Sequence, residues 1–137
     1  MNRPVHFEIH AENPERAGKF YSDVFGWTSK KYEFPGMDYW ILMTGPESKD
    51  PASLQNPGLN GGIVKRRGPA PANNAPVHGY VCTMTVSNID ESIQKIVAAG
   101  GTEALAKNLL PGVGYLAYYK DTEGNIFGVM ESVTATA

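Results

Sequence analysis

Cysteine is nearly absent from the chain. Cys82 stands alone, which excludes an internal disulfide and any metal site built from a cysteine cluster. Long apolar runs are missing too. The longest conspicuous one, Tyr39-Trp-Ile-Leu-Met43, falls far short of the roughly 18–20 residues of a membrane span, so no membrane partner is expected. Neither sign of charge dominates: 12 Lys and Arg stand against 14 Asp and Glu. A chain without a basic face is not expected to bind nucleic acid. The one basic cluster, Lys65-Arg66-Arg67, adjoins a proline-rich stretch and reads as a solvated linker edge. The opening Met1-Asn-Arg-Pro4 precedes no apolar stretch with a small-residue cleavage site, so no signal peptide is expected and a cytoplasmic location is the default. Three catalytic strings are also missing: His-Glu-x-x-His, a phosphate-binding Gly-Lys-Ser/Thr loop and a Gly-x-Ser-x-Gly elbow. Gly112-Val-Gly-Tyr-Leu-Ala117 matches a loose dinucleotide-binding string. It follows Pro111 and leads into a strand pattern, so it lacks the helix N-terminus that would face phosphates.

What remains is a globular composition, 42% hydrophobic and 19% charged over 137 residues. That length suits one compact domain that buries about two-thirds of its unfolded surface.

Comparing the chain with itself exposes a repeat. Val5-His-Phe-Glu-Ile-His-Ala-Glu-Asn13 reads as a strand that stops at an Asn, and Tyr80-Val-Cys-Thr-Met-Thr-Val-Ser-Asn88 does the same. Each Asn is a helix N-cap. Pro14 stands at the first helical position after Asn13, and Glu91 follows Asn88 in a capping-box-like spacing. The first helix carries an apolar stripe of Ala17, Phe20, Tyr21, Val24 and Phe25; the second carries Ile89, Ile93, Ile96 and Val97. Gly26 and Gly101, related by the same offset as the two asparagines, are read as the left-handed C-terminal caps. Strand patterns follow each helix: Trp27–Phe34, Tyr39–Met43 and Gly61–Lys65, then Thr102–Lys107, Tyr115–Lys120 and Asn125–Glu131. Asp121-Thr-Glu-Gly124 reads as a hairpin turn. The stretch Thr44–Asn60 is too rich in Pro and Gly for regular structure.

The chain therefore reads as one α+β domain of two tandem βαβββ modules, a first over 4–66 and a second over 77–132, joined by a linker over 67–76. Each module has one amphipathic helix to cover one face of a four-stranded sheet. The uncovered faces are expected to form paired curved mixed sheets around a concave, ligand-binding cavity.

These residues resemble a known family. His6-Phe-Glu-Ile-His-Ala-Glu-Asn-Pro-Glu-Arg-Ala-Gly-Lys-Phe-Tyr-Ser-Asp-Val-Phe-Gly-Trp27, the pair Gly100-Gly101 and the ending Asp121-Thr-Glu-Gly-Asn-Ile-Phe-Gly-Val-Met-Glu131 resemble vicinal oxygen chelate modules. That superfamily contains glyoxalase I, the bleomycin and fosfomycin resistance proteins and the extradiol dioxygenases. The resemblance implies the fold, not one activity. In metal-dependent members it implies one ligand from the first and one from the last strand of each module. Those positions fall on His6, Val81, Gly128 and a residue near Gly62. Only His6 has a donor, so the usual four-ligand site is not expected, although a divalent metal held in a reduced site is the alternative. The resemblance also implies a homodimer, and pairing of modules within one chain or across a two-fold axis both fit these residues.

Strand alternation selects the expected site residues independently. With Phe7 and Ile9 under the first helix, His6, Glu8 and His10 face the cavity. The second module offers Val81, Thr83 and Thr85 from its first strand, with Cys82 and Met84 turned to the helix, and Ile126, Gly128 and Met130 from its last. His6 and Glu8, about 6.6 Å apart along the strand, are close enough to share an ion, whereas His6 and His10, roughly 13 Å apart, are not. Glu131 falls on the face opposite Gly128. Glu8 is the candidate general base, or else pairs with a cation and holds the fold. His78 reads as a surface residue. Two functions follow: a binding protein for a small organic molecule, or a lyase, isomerase or dioxygenase using His6 and Glu8. An interaction module whose concave face packs on another protein is a third.

Overall fold

The computed structural model describes residues 3–47, 49–77 and 79–133; His78 lies outside them. Contacts divide the chain into one unit that ends at Ala70 and another that begins at Pro71. Each unit is a βαβββ module.

In the first, strand β1 (Phe7–Ala11) is followed by helix α1 (Pro14–Phe25), then β2 (Thr28–Phe34), β3 (Met37–Met43), the short α2 (Ala52–Gln55) and β4 (Gly61–Lys65). The sheet order is β1-β4-β3-β2, with β1 parallel to β4 and the other neighbours antiparallel. The second module repeats this as β5 (Thr83–Thr85), α3 (Ile89–Ala98), β6 (Thr102–Leu110), β7 (Gly114–Lys120) and β8 (Ile126–Ser132), in the order β5-β8-β7-β6. The fold is thus α+β, with two tandem βαβββ modules and mixed sheets.

Local chemistry explains the helices. The Asn13 side chain accepts from Arg16 N at 3.1 Å, Pro14 opens α1, and Gly26 closes it with φ of 75°. Phe20, Tyr21 and Val24 on α1 are buried, and Ala17 packs with Ala11, Leu42 and Ile63 of the sheet. Each such large side chain contributes about 1.5–3 kcal/mol. Asn88 accepts from Glu91 N at 3.0 Å at the start of α3, and the Glu131 carboxylate accepts from Ile89 N at 2.8 Å. Glu131 therefore serves the helix N-terminus and faces away from the sheet surface that carries Gly128.

Four expectations need correction. The left-handed residue after α3 is Gly100, with φ of 101°, not Gly101. Gly100 N donates to Val97 O and Gly101 N to Ile96 O, the two bonds of a Schellman ending. Val97 is 57% exposed, so the buried line of α3 is Ile89 and Ile96 with Ile93 at its edge. Cys82 is exposed and does not pack beneath α3. The Thr44–Asn60 stretch holds one helical turn, α2, although it is otherwise irregular.

That stretch is pinned by Asn60. Its side-chain oxygen accepts from Thr44 N at 2.7 Å and Gly45 N at 3.1 Å, while its amide donates to Pro46 O at 3.0 Å. This closes the loop immediately before β4 and fixes where Gly61 and Gly62 enter the sheet between β1 and β3.

Candidate functional site

Strand alternation puts Phe7 and Ile9 of β1 and Trp40 and Leu42 of β3 against the α1 side, where they pack with the core. Glu8, His10, Tyr39 and Ile41 lie on the other face, and His6, just before β1, continues that row. β4 runs between β1 and β3, and Gly62 is the register partner of both Glu8 and Ile41. With only hydrogen at Gly62, the Tyr39 phenol lies across β4 and reaches β1. A β-carbon at position 62 would overlap the Tyr39 hydroxyl.

The result is a hydrogen-bonded array of four side chains. His6 Nε2 and the Tyr39 hydroxyl are 2.8 Å apart, and the two rings are near-parallel. The Tyr39 hydroxyl donates to one Glu8 oxygen at 3.3 Å. His10 Nε2 lies 2.9 Å from the other Glu8 oxygen. Burial first, then the Glu8 charge and its hydrogen bond, push the Tyr39 phenol above its ordinary range, so it stays a neutral donor at physiological pH. The array is reachable: the Glu8 side chain is 43% exposed and that of His10 53%. Arg66 donates to the His10 carbonyl at 2.9 Å and ties the end of β4 to β1.

The structure thus brings His6, Glu8 and His10 together and adds Tyr39, which sequence reasoning missed. The signal was present in the alternation of Tyr39-Trp-Ile-Leu-Met43, but the register of β3 against Gly62 is set across the Thr44–Asn60 loop and is not readable locally.

In the second module Thr83, Tyr118 and Gly128 are register partners, as Glu8, Ile41 and Gly62 are in the first. This matches the expected equivalence of Gly62 and Gly128. Thr85 pairs with Met130 farther along the sheet. Val81 and Ile126 line an apolar hollow of about 210 Å³ with Val77, Ala104, Leu105 and Tyr118. Thr83 and Thr85 are exposed. No ionisable group takes the places of His6, Glu8 and His10 here, where Val81, Thr83 and Thr85 stand.

The residues do not fit a four-ligand ion. Val81, Gly62 and Gly128 have no donor atom, and the space beside Gly62 is filled by Tyr39 and that beside Gly128 by Thr83 and Tyr118. Among the described residues, no group of three or more His, Cys, Asp or Glu is gathered to hold a metal.

Two four-stranded modules of identical strand order, each with one helix-free face, define a vicinal oxygen chelate protein. A family model described as a glyoxalase-like domain matches residues 6–130, and the chain belongs to that family. A glyoxylase-like domain-containing protein from Didymella fabae is 31% identical over 124 residues, covering 89% of this chain and 88% of that protein. The fold is similar to that of a glyoxylase/bleomycin resistance protein/dioxygenase domain from Frankia sp. EAN1pec, with a TM-score of 0.70 at 12% identity over 96% of this chain and 98% of that one. It is equally similar to a point mutant of glyoxalase I from Zea mays, with a TM-score of 0.70 at 18% identity over 96% of this chain and 48% of that one. At such identities the structures share the fold alone. No helix among the described residues is long and apolar enough to cross a membrane.

Proposed function

We propose that this protein binds a small organic molecule on its helix-free sheet faces, without the four-ligand metal site that the superfamily pattern implies. The observation that carries this reading is the His6–Tyr39–Glu8–His10 array. Four polar side chains are joined on a reachable sheet surface, and a tyrosine fills the space at Gly62. Such a surface orients a polar group of a ligand. The second module, taken by itself, carries an apolar hollow lined by Val81 and Ile126, with Thr83 and Thr85 on strand β5. Metal analysis of protein purified without chelator tests this. Sub-stoichiometric metal and no effect of chelator on ligand binding support it; stoichiometric metal that disappears in His6→Ala overturns it.

A second reading is favoured by the Glu8 carboxylate, which is both exposed and held by two neighbours. Glu8 would serve as a general base in a lyase, isomerase or dioxygenase reaction, with His6 beside it. Glu8→Gln would then abolish turnover while leaving ligand affinity within a few-fold. The homodimer belongs to the same proposal. Exposed Tyr32, Phe34 and Met37 around the β2–β3 hairpin and Leu105 and Leu109 on β6 support it, and sedimentation velocity tests it.

A further inference from the structure

A carboxylate only accepts hydrogen bonds, a phenol gives one hydrogen and can also accept, and a neutral imidazole carries hydrogen on one nitrogen only. Applied to the array, these rules leave one arrangement with a hydrogen in every contact. If Tyr39 gave its hydrogen to His6, its oxygen would face the Glu8 oxygen, 3.3 Å away, with no hydrogen between two acceptors. Tyr39 therefore donates to Glu8, and His6 donates from Nε2 to the phenol oxygen across 2.8 Å. His10 donates from Nε2 to the other Glu8 oxygen.

We infer that Tyr39 is a positioning residue: its hydroxyl holds His6 as the Nε2–H tautomer and leaves Nδ1 as the acceptor offered to a bound molecule. No described residue bonds to that Nδ1. Gly62 makes the arrangement possible, because any side chain there would displace the hydroxyl. The consequence for the ligand rests on the small-molecule reading above. A group meeting an imidazole acceptor beside a carboxylate has to bring a hydrogen, so the ligand is a hydrogen-bond donor without negative charge, such as one with an amide N–H or an alcohol or phenol O–H. A carboxylate or phosphate would meet acceptor against acceptor and like charge at Glu8.

The test is nitrogen NMR of the full-length protein labelled at histidine, recorded on the alkaline side of the histidine titration, with His6 assigned through His6→Ala. The expected native signal is the Nε2–H tautomer. Tyr39→Phe keeps the ring and removes only the hydroxyl; it is expected to release His6 into a tautomer mixture while the backbone amide spectrum stays native. Glu8→Ala removes the acceptor for the Tyr39 hydrogen and is expected to move His6 toward Nδ1–H. A native Nδ1–H tautomer, or an unchanged tautomer in both variants, overturns the role of Tyr39. Benzamide and benzoate then probe the ligand class by thermal shift. A rise in Tm with benzamide that shrinks in Tyr39→Phe is expected. A larger rise with benzoate overturns the ligand class alone. A rise with neither overturns the ligand class and counts against small-molecule binding, whereas the tautomer, read in the free protein, decides the role of Tyr39 separately.

Discussion

The hydroxyl of Tyr39 occupies the space that a β-carbon on Gly62 would need. Two residues on neighbouring strands are thereby coupled sterically, and the polar array on β1 depends on both. Gly62→Ala is expected to destabilise the protein by about 1–3 kcal/mol, the usual cost of overpacking. Tyr39→Ala in the same chain is expected to relieve part of that loss, giving a coupling energy of roughly 0.5–3 kcal/mol in a double-mutant cycle. Urea denaturation of the four proteins measures it. Strictly additive losses would show that the strands rearrange around the new methyl group.

Asn60 closes the irregular stretch ahead of β4 with bonds to Thr44, Gly45 and Pro46. Asn60→Ala is expected to cost about 1–3 kcal/mol, because it leaves part-buried backbone groups without partners. Asn60→Asp keeps the acceptor for Thr44 N and Gly45 N and loses only the donor to Pro46 O, so it should cost less. Hydrogen exchange at Thr44 and Gly45 checks the cause: both amides should lose protection in Asn60→Ala and keep most of it in Asn60→Asp.

The buried line of α3 makes a sharper distinction than its apolar spacing. Ile96 is fully buried, whereas Val97 is 57% exposed. Ile96→Ala is expected to cost about 2–5 kcal/mol, and Val97→Ala to stay within about 0.5 kcal/mol. Equal losses in thermal or chemical denaturation would contradict this packing.

These cases show which parts of the molecule were legible in the chain. Caps such as Asn13 and Asn88 act within one helical turn, so their residues announce them, and the repeat of strand, cap and helix carried the fold. The exit of α3 was misplaced by one residue. The left-handed glycine lies one residue nearer to Asn88 in the second module than Gly26 does to Asn13 in the first, so the glycine matching Gly26 by offset falls just beyond the left-handed position. On the site, alternation alone put His6, Glu8 and His10 on one face, since that needs only the pleat of β1. Tyr39 escaped because its partner across the sheet is chosen by a register set through the Thr44–Asn60 loop, which no local pattern encodes.

Tyr119 supplies a pH dependence away from the array. It is 4% exposed and donates to Glu103 at 3.4 Å; burial first, and then the Glu103 charge and that bond, raise its pKa above the ordinary phenol value. A raised pKa favours the protonated phenol in the folded state. Its contribution is therefore fully present below the unfolded value of about 10 and is lost as pH rises through the folded one. Stability should fall at strongly alkaline pH, and the fall should be shallower in Tyr119→Phe. Urea midpoints between neutral pH and pH of about 11 measure the difference.

The most direct test of ligand binding at the array is an amide NMR titration of the full-length protein with neutral single-ring amides and alcohols. Shifts are expected to concentrate at His6, Glu8, His10, Tyr39 and Gly62 and to vanish in His6→Ala. A spectrum in which those five residues stay unmoved by every compound, while a tightly held ion broadens the His6 signal, would contradict it.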